Sequence, residues 1–256
     1  MAFNSLPRLV WIYTLIQALA MSVGSMMVIV GGVLGSTLAP DPAYATLPVA
    51  LMISGTAVAV LPVTRLMRHF GRRAVFIAVT IVALLASLLA ARAAGDRSFV
   101  LFCTAALGFG WAIAGIQQLR FAAMEAVPLA LMPKAASTVL LGGLAAAIIG
   151  PELVTGGKDL TGSEFVGTFL LMAAICALCT VLFLFTPSSR AQASEVAGKA
   201  RALPELIRNP TLVMAIAAAV GGYGLMSFIM TATPVHMHVH EGHSLAQTKF
   251  VIQSHI

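Results

Sequence analysis

Two methionines and a histidine near the end of the sequence could together ligate a soft metal ion. Met226 and Met230 are four residues apart in an apolar segment, so on a helix their thioethers would project from one face. His255 lies in the next apolar segment, about three helical turns from its start. Thioether and imidazole groups suit Cu(I), which does not require charged oxygen ligands. The alternative for each methionine is flexible packing in an apolar core.

A second group of possible metal ligands lies between these two segments. His236, His238 and His240 would share one face of an extended chain, whereas in a helix His236 would neighbour His240, and His240 would neighbour His243. Either arrangement could collect copper or zinc before it reaches the methionines. The alternative is a polar, solvated loop whose histidines bind nothing.

The elements that must position these residues are membrane helices. Hydrophobic residues make up 59% of the 256 residues and charged residues only 9%, with a mean hydropathy of +0.97. Apolar runs of about 20 residues are what an α-helix needs to cross a bilayer. The sequence therefore predicts an all-α, polytopic membrane protein. The predicted spans are 9–35, 46–66, 74–94, 99–124, 134–152, 165–186 and 211–233, with an eighth beginning near Ser244.

The distribution of Lys and Arg predicts the orientation of these spans. Most basic residues fall on the side that holds the N-terminus, and the opposite loops carry most of the acids. The positive-inside rule therefore places the N-terminus in the cytoplasm. The net charge of +6 is explained by this topology, and no basic soluble face predicts a nucleic-acid partner. The expected surroundings are a lipid bilayer, namely the bacterial cytoplasmic (inner) membrane.

A polar, basic segment divides the chain into three parts. Residues 1–186 form a predicted six-helix transmembrane half, 187–210 a cytoplasmic linker, and 211–256 the start of a second half. Two six-helix halves with a substrate site between them near mid-membrane are one plan of secondary transporters. The linker could hold a surface helix around 194–207. We expect the chain to be C-terminally truncated, because it stops within its eighth helix.

The segment between the second and third spans carries a family motif. It reads TRLMRHFGRRAVF, from Thr64 to Phe76, and resembles the loop signature of the major facilitator superfamily. Gly71, Arg72 and Arg73 match that signature, whereas its Asp-Arg pair is replaced here by Arg68-His69. The resemblance implies the fold of that superfamily: a complete N-terminal six-helix half, helix seven and the start of helix eight. For the arginines it implies a gating role, and the alternative is that they only set the topology.

Two further motifs lie within the first half. Arg120 lies in the fourth span, where the superfamily commonly has an arginine, which implies coupling or substrate contact. The alternative is an ion pair with Glu125 or with a neighbouring helix end. Gly150 and Pro151 resemble the Gly-Pro motif of proton-coupled exporters, and we expect the fifth helix to bend and end there.

The methionine pair and His255 together resemble the CcoA-like (CalT) copper importers of the same superfamily. These carry Met-x-x-x-Met in helix seven and His-x-x-x-Met in helix eight. Met226, Met230 and His255 match, and the last methionine would fall four residues beyond His255. The resemblance implies that copper is the transported substrate and that these three residues bind it.

The function expected from these features is import of copper by alternating access. The sequence has no Gly-rich phosphate loop and no acid-base or nucleophile constellation, so we expect neither an ATPase nor an enzyme, and no cofactor. The alternative is a carrier of an organic solute such as riboflavin, which Trp111, Gln117, Gln118 and Tyr223 could stack on and hydrogen-bond. A drug exporter is more distant, and a non-transporting fragment is another class.

Overall fold

The computed structural model describes residues 6–158, 160–188, 205–206 and 208–255; the side chain of His255 is not among the groups it describes. The described chain is helical, with no β-strand in it, and seven of its helical segments are long and apolar enough to cross a membrane. The all-α prediction is therefore confirmed. The helices are α1 (Arg8–Leu38), α2 (Leu47–Phe70), α3 (Arg72–Gly95), α4 (Phe99–Ile116), α5 (Leu119–Glu125), α6 (Met132–Gly157), α7 (Val166–Leu184), α8 (Pro210–Pro234) and α9 (Leu245–His255).

Shorter helical turns complete the chain. Pro42–Tyr44 and Leu129–Leu131 are 3₁₀ turns, and Val235–His240 is a π-helical continuation of α8. Local sequence explains several helix boundaries. Asn209 caps α8 by accepting hydrogen bonds from two backbone N–H groups of its first turn, and Ser98 caps α4 in the same way with one.

The bundle has two ends, which we name by their residues. The basic end contains the α2–α3 junction at Gly71, the segment 126–131 and the start of α8. The far end contains the segments 39–46, 96–98, 160–165 and 241–244. By the positive-inside prediction the basic end faces the cytoplasm and the far end faces outward.

Helix packing in the first half depends on close backbone approach. A Cβ atom added to Gly142 of α6 would clash with the carbonyl oxygen of Thr14 in α1, and one added to Gly150 would lie 2.7 Å from the oxygen of Ser22. Small residues allow such contacts between membrane helices. Helix α2 packs along α4, and α3 packs against both α4 and α7. The first six predicted spans therefore form one interlocked bundle.

Helix α8 touches this bundle only near the far end. Its residues 213–226 are all exposed, whereas Met230 and Pro234 are buried. Beyond them, Val235 packs on Gly32 of α1, and α9 packs against α6. The described contacts between the two parts of the chain therefore lie at the far end. Most of the predicted linker lies outside the described residues, as does the surface helix predicted around 194–207 apart from residues 205 and 206, which are helical.

Candidate functional site

The α2–α3 junction is the most tightly bonded polar site in the first half. Gly71 alone separates the two helices, with a φ of 86° that favours glycine. The predicted loop from Thr64 to Phe76 is therefore wrong in its extent, because Thr64 lies inside α2. Because the connection is one residue long, Arg72 and Arg73 lie in the first turn of α3.

Arg72 is buried and paired. Its Nε donates to Glu125 Oε2 at 2.7 Å and its Nη2 donates to Glu125 Oε1, so the guanidinium and the carboxylate form two parallel hydrogen bonds. The side chains of Arg72 and Glu125 are 10% and 29% exposed. Arg73 donates from Nη2 to the backbone oxygen of Leu184 at 2.6 Å. The two arginines thus connect the junction to the ends of α5 and α7.

Arg120 does not make the ion pair that was one alternative for it. Glu125 pairs with Arg72 instead, and the Arg120 guanidinium lies 4.9 Å from the ring centroid of Phe121. The Arg120 side chain is exposed. The prediction of an Arg120–Glu125 pair was wrong because the two junction arginines lie at the same end of the bundle, and Arg72 reaches the carboxylate with two hydrogen bonds.

The fourth span is interrupted beside Arg120. Helix α4 ends at Ile116 and α5 begins at Leu119, with Gln117 and Gln118 in the turn between them. Both glutamine side chains are half-buried, and neither makes a side-chain hydrogen bond within the described residues. Amide groups without protein partners at membrane depth favour a site that water or a solute occupies. The sequence predicted the two glutamines as candidates but not the break.

The aromatic candidates lie on two different helices. Trp111 is on α4, less than two turns before the glutamine turn, and Tyr223 is on α8; both are exposed. A groove of about 280 Å³ separates α2 from α8 toward the far end, with small and hydroxyl side chains such as Thr46, Ser227 and Thr231 in its wall. The chain therefore offers polar and aromatic groups on both of its parts.

Only one member of the methionine pair lies where the two parts of the chain meet. Met230 is 9% exposed and belongs to a buried apolar cluster that includes Met26 and Met27, whereas Met226 is 46% exposed. His255 is the last residue of α9, about three turns from its start, as predicted. Whether the His255 imidazole joins the thioethers stays a prediction, because that side chain lies outside the described part.

The four histidines between residues 236 and 243 occupy the helical continuation and the turn after it, not an open loop. The ring centroids of His236 and His240 are 6.2 Å apart, as neighbours in a helix would be. The Nδ1 of His238 lies 2.7 Å from the backbone oxygen of His243. Within the described residues, no three His, Cys, Asp or Glu side chains are placed to hold a metal ion. A metal-collecting role for this segment stays a prediction.

The fifth span does not end at its Gly-Pro motif. Helix α6 continues through Gly150 and Pro151 to Gly157, and both motif residues are buried. Gly150 packs against Ser22 and Ser25 of α1. The predicted helix end was wrong because a proline inside a helix removes only one hydrogen bond, which tertiary packing can offset.

Comparison with known proteins decides the family. The Major Facilitator Superfamily model matches residues 10–253. This chain belongs to the major facilitator superfamily. It is 37% identical over 252 residues to the riboflavin transporter RfnT of Brucella anthropi, covering 97% of this chain and 63% of that protein. It is also 28% and 30% identical, each over 244 residues, to the uncharacterized transporters YddS and YdeG of Bacillus subtilis.

These relatives also define how much of such a transporter is present. The match covers 89% and 90% of this chain with YddS and YdeG, and 56% of each of those proteins. The chain thus spans less than two thirds of the length of the curated relatives it matches. The family and the membrane-spanning architecture agree with the sequence analysis, and none of the three names mentions copper.

Proposed function

We propose that the protein is a secondary transporter that carries a planar organic solute of the riboflavin type across the bacterial cytoplasmic membrane. The observation that carries this proposal is the 37% identity to a riboflavin transporter, which extends over 97% of the chain. The N-terminus would lie in the cytoplasm, as the arginine-rich basic end favours. Transport would proceed by alternating access between the two parts of the chain.

The residues around the break in the fourth span support this substrate class. An isoalloxazine ring offers a flat aromatic surface and an edge of hydrogen-bonding groups. Trp111 could stack on such a surface, and the unpaired amides of Gln117 and Gln118 could bond its edge. Tyr223 of α8 could contribute from the second part of the chain. We propose that Arg120 contacts the solute or its coupling ion, since its charge is exposed.

Copper remains the second candidate because of the methionine pair. Met230 lies at the contact between the two parts of the chain, and Met226, one turn earlier, is exposed. Two thioethers on one helix face, completed by His255, would make a site suited to Cu(I). In this proposal copper is the cargo, bound by these three residues and transported inward. The histidines at 236, 238, 240 and 243 would then collect it at the far end.

Uptake assays on the full-length protein separate the two candidates. Cells that lack their own riboflavin uptake would express the transporter, and labelled riboflavin and labelled copper would be measured in parallel. We expect riboflavin accumulation that Trp111→Leu reduces at least tenfold. Trp11→Leu, which changes the only other tryptophan in the chain, should keep normal uptake. Riboflavin uptake no higher than in empty cells would overturn the proposal.

The copper candidate has its own matched variants. Met226→Leu and Met230→Leu remove the sulfur atoms while nearly conserving side-chain volume, so packing is largely preserved. Met214→Leu is the control, since Met214 lies three turns earlier on the same helix and outside the pair. Copper uptake lost in the first two variants but kept in the control would favour copper. Copper uptake equal in all three would exclude the methionine site.

A further inference from the structure

The two parts of the chain meet through a packed contact at the far end. A Cβ atom added to Gly32 of α1 would lie 3.1 Å from a methyl carbon of Val235 and 3.7 Å from the backbone oxygen of Thr231. The backbone of α1 at Gly32 is therefore packed directly against the end of α8. Along the preceding residues 213–226, by contrast, α8 is exposed. The described contacts between the two parts of the chain therefore lie at the far end.

A polar contact lies beside this packed one. Lys249 of α9 donates from Nζ to Glu152 Oε2 of α6 at 2.9 Å. Gln253, one turn later, donates from Nε2 to the backbone oxygen of Ile148 at 3.1 Å and to Glu152 Oε1 at 3.4 Å. Both oxygens of one carboxylate are therefore bonded across the boundary between the two parts. The Lys249 side chain is 18% exposed, whereas that of Glu152 is 55% exposed.

The exposure of this pair fits a contact that opens and closes. A fully buried ion pair would cost much free energy to separate, because both charges would remain in an apolar environment. A solvent-exposed carboxylate is rehydrated as the pair separates, so the contact contributes little net stability. The two hydrogen bonds from Gln253 fix the orientation of α9 relative to α6 without adding a charge. Such a contact can define one state of the protein without trapping it there.

We propose that Glu152, Lys249 and Gln253 form the outer gate of this transporter. They hold α6 against α9 while the solute site faces the basic end, and they separate when the two parts rock toward the opposite state. Gly32 and Val235 form the apolar portion of the same gate. This inference rests on the proposed alternating-access function, and it does not depend on whether the cargo is riboflavin or copper.

Charge reversal combined with cysteine labelling tests the gate. The reporter is Thr231→Cys, half-buried against Gly32, in a full-length protein whose native cysteines, including Cys103, Cys176 and Cys179, are all replaced. A membrane-impermeant thiol reagent is added from outside the cells. Glu152→Lys and Lys249→Glu each place like charges together, so we expect the rate of labelling to rise at least threefold. The double swap Glu152→Lys/Lys249→Glu restores opposite charges and should return the rate toward that of the parent.

A second far-end ion pair supplies the control. Lys158 and Glu164 are 3.0 Å apart and both belong to the first half. Lys158→Glu makes the same change of charge at the same membrane face and should leave labelling unchanged. The gate would be ruled out if the labelling rate were unchanged in both single gate variants. It would also be ruled out if the double swap were labelled at least as fast as either single variant. Labelling does not require a cargo, so this test is independent of the uptake assays. If neither riboflavin nor copper is taken up but labelling rises in the single variants and recovers in the double swap, the proposed cargo is rejected and the gate is retained.

Discussion

The Arg72 guanidinium and the Glu125 carboxylate form a paired contact in the interior of the basic end. The family motif around Gly71 lacks its usual acid, since Arg68 stands in that place. The structure supplies an acid to Arg72 from another helix, 53 residues along the chain. Arg72 therefore does more than set the membrane topology, because it fixes the end of α5 against the α2–α3 junction.

Glu125→Gln tests how much this pair stabilises the fold. The substitution leaves a buried guanidinium without its counter-charge, and removing one partner of a buried pair costs on the order of 3 kcal/mol. We expect a clear fall in the thermal unfolding midpoint of the purified protein in detergent. The control is Asp96→Asn, which breaks the exposed Arg92–Asp96 pair and should cost at most about 1 kcal/mol. Equal shifts in the two variants would contradict a stabilising role for the pair.

The sequence revealed the chemistry of single residues better than their partners. Arg72, Arg120 and the glutamines were recognisable because charged and amide groups are rare in membrane spans. The partner of Arg72 was not predictable, because Glu125 is distant in sequence and two arginines could reach it. Only the packing of α5 beside the junction decides between Arg72 and Arg120.

At the scale of helices, α6 shows how glycine position controls packing. Gly142 faces α1, where an added Cβ would clash with Thr14 and lie 3.1 Å from the backbone nitrogen of Ala18. The next residue, Gly143, has no atom within 4 Å of such a Cβ. The two adjacent glycines therefore differ in what they contact, although the sequence presents them as equivalent.

Alanine substitution at these two positions should have opposite effects. Gly142→Ala forces α1 and α6 apart, so we expect lower stability in detergent and less protein in the membrane. Gly143→Ala fills open space and removes the helix penalty of glycine, which is about 1 kcal/mol. Its stability should equal or exceed that of the parent. Thermal unfolding of both variants under one condition makes the comparison, and a loss at position 143 equal to that at 142 would contradict the packing described here.

Long apolar runs predicted the helices well, but not their irregular turns. The backbone N–H of Gln118 bonds the oxygen of Gly115, a tight three-residue turn that no proline marks in the sequence. Hydropathy averaged over a span cannot detect such a break. The π-helical segment after α8 begins beyond Pro234, which lacks the N–H needed to continue a regular helix. That proline was a visible signal for an irregularity, although not for its type.

At the scale of the whole molecule, the contacts between the two parts of the chain lie at one end of the bundle. The buried residues of α8, Met230 and Pro234, both lie in its last two turns. The same end of the bundle holds the Gly32 and Glu152 contacts. Contact between the two parts at one end of the bundle is what one of the two states of an alternating-access carrier requires.

The side of the membrane that the far-end contact faces depends on which end of the bundle lies in the cytoplasm. The basic end carries Arg65, Arg68 and the junction arginines, and positive charge is retained on the cytoplasmic side. Single cysteines at His69 and Ser98, in the cysteine-free background, report the two ends. We expect an impermeant thiol reagent to label Ser98→Cys in intact cells and His69→Cys only after permeabilisation. The reverse pattern would invert the topology, and the contact between Glu152 and Lys249 would then close the protein toward the cytoplasm.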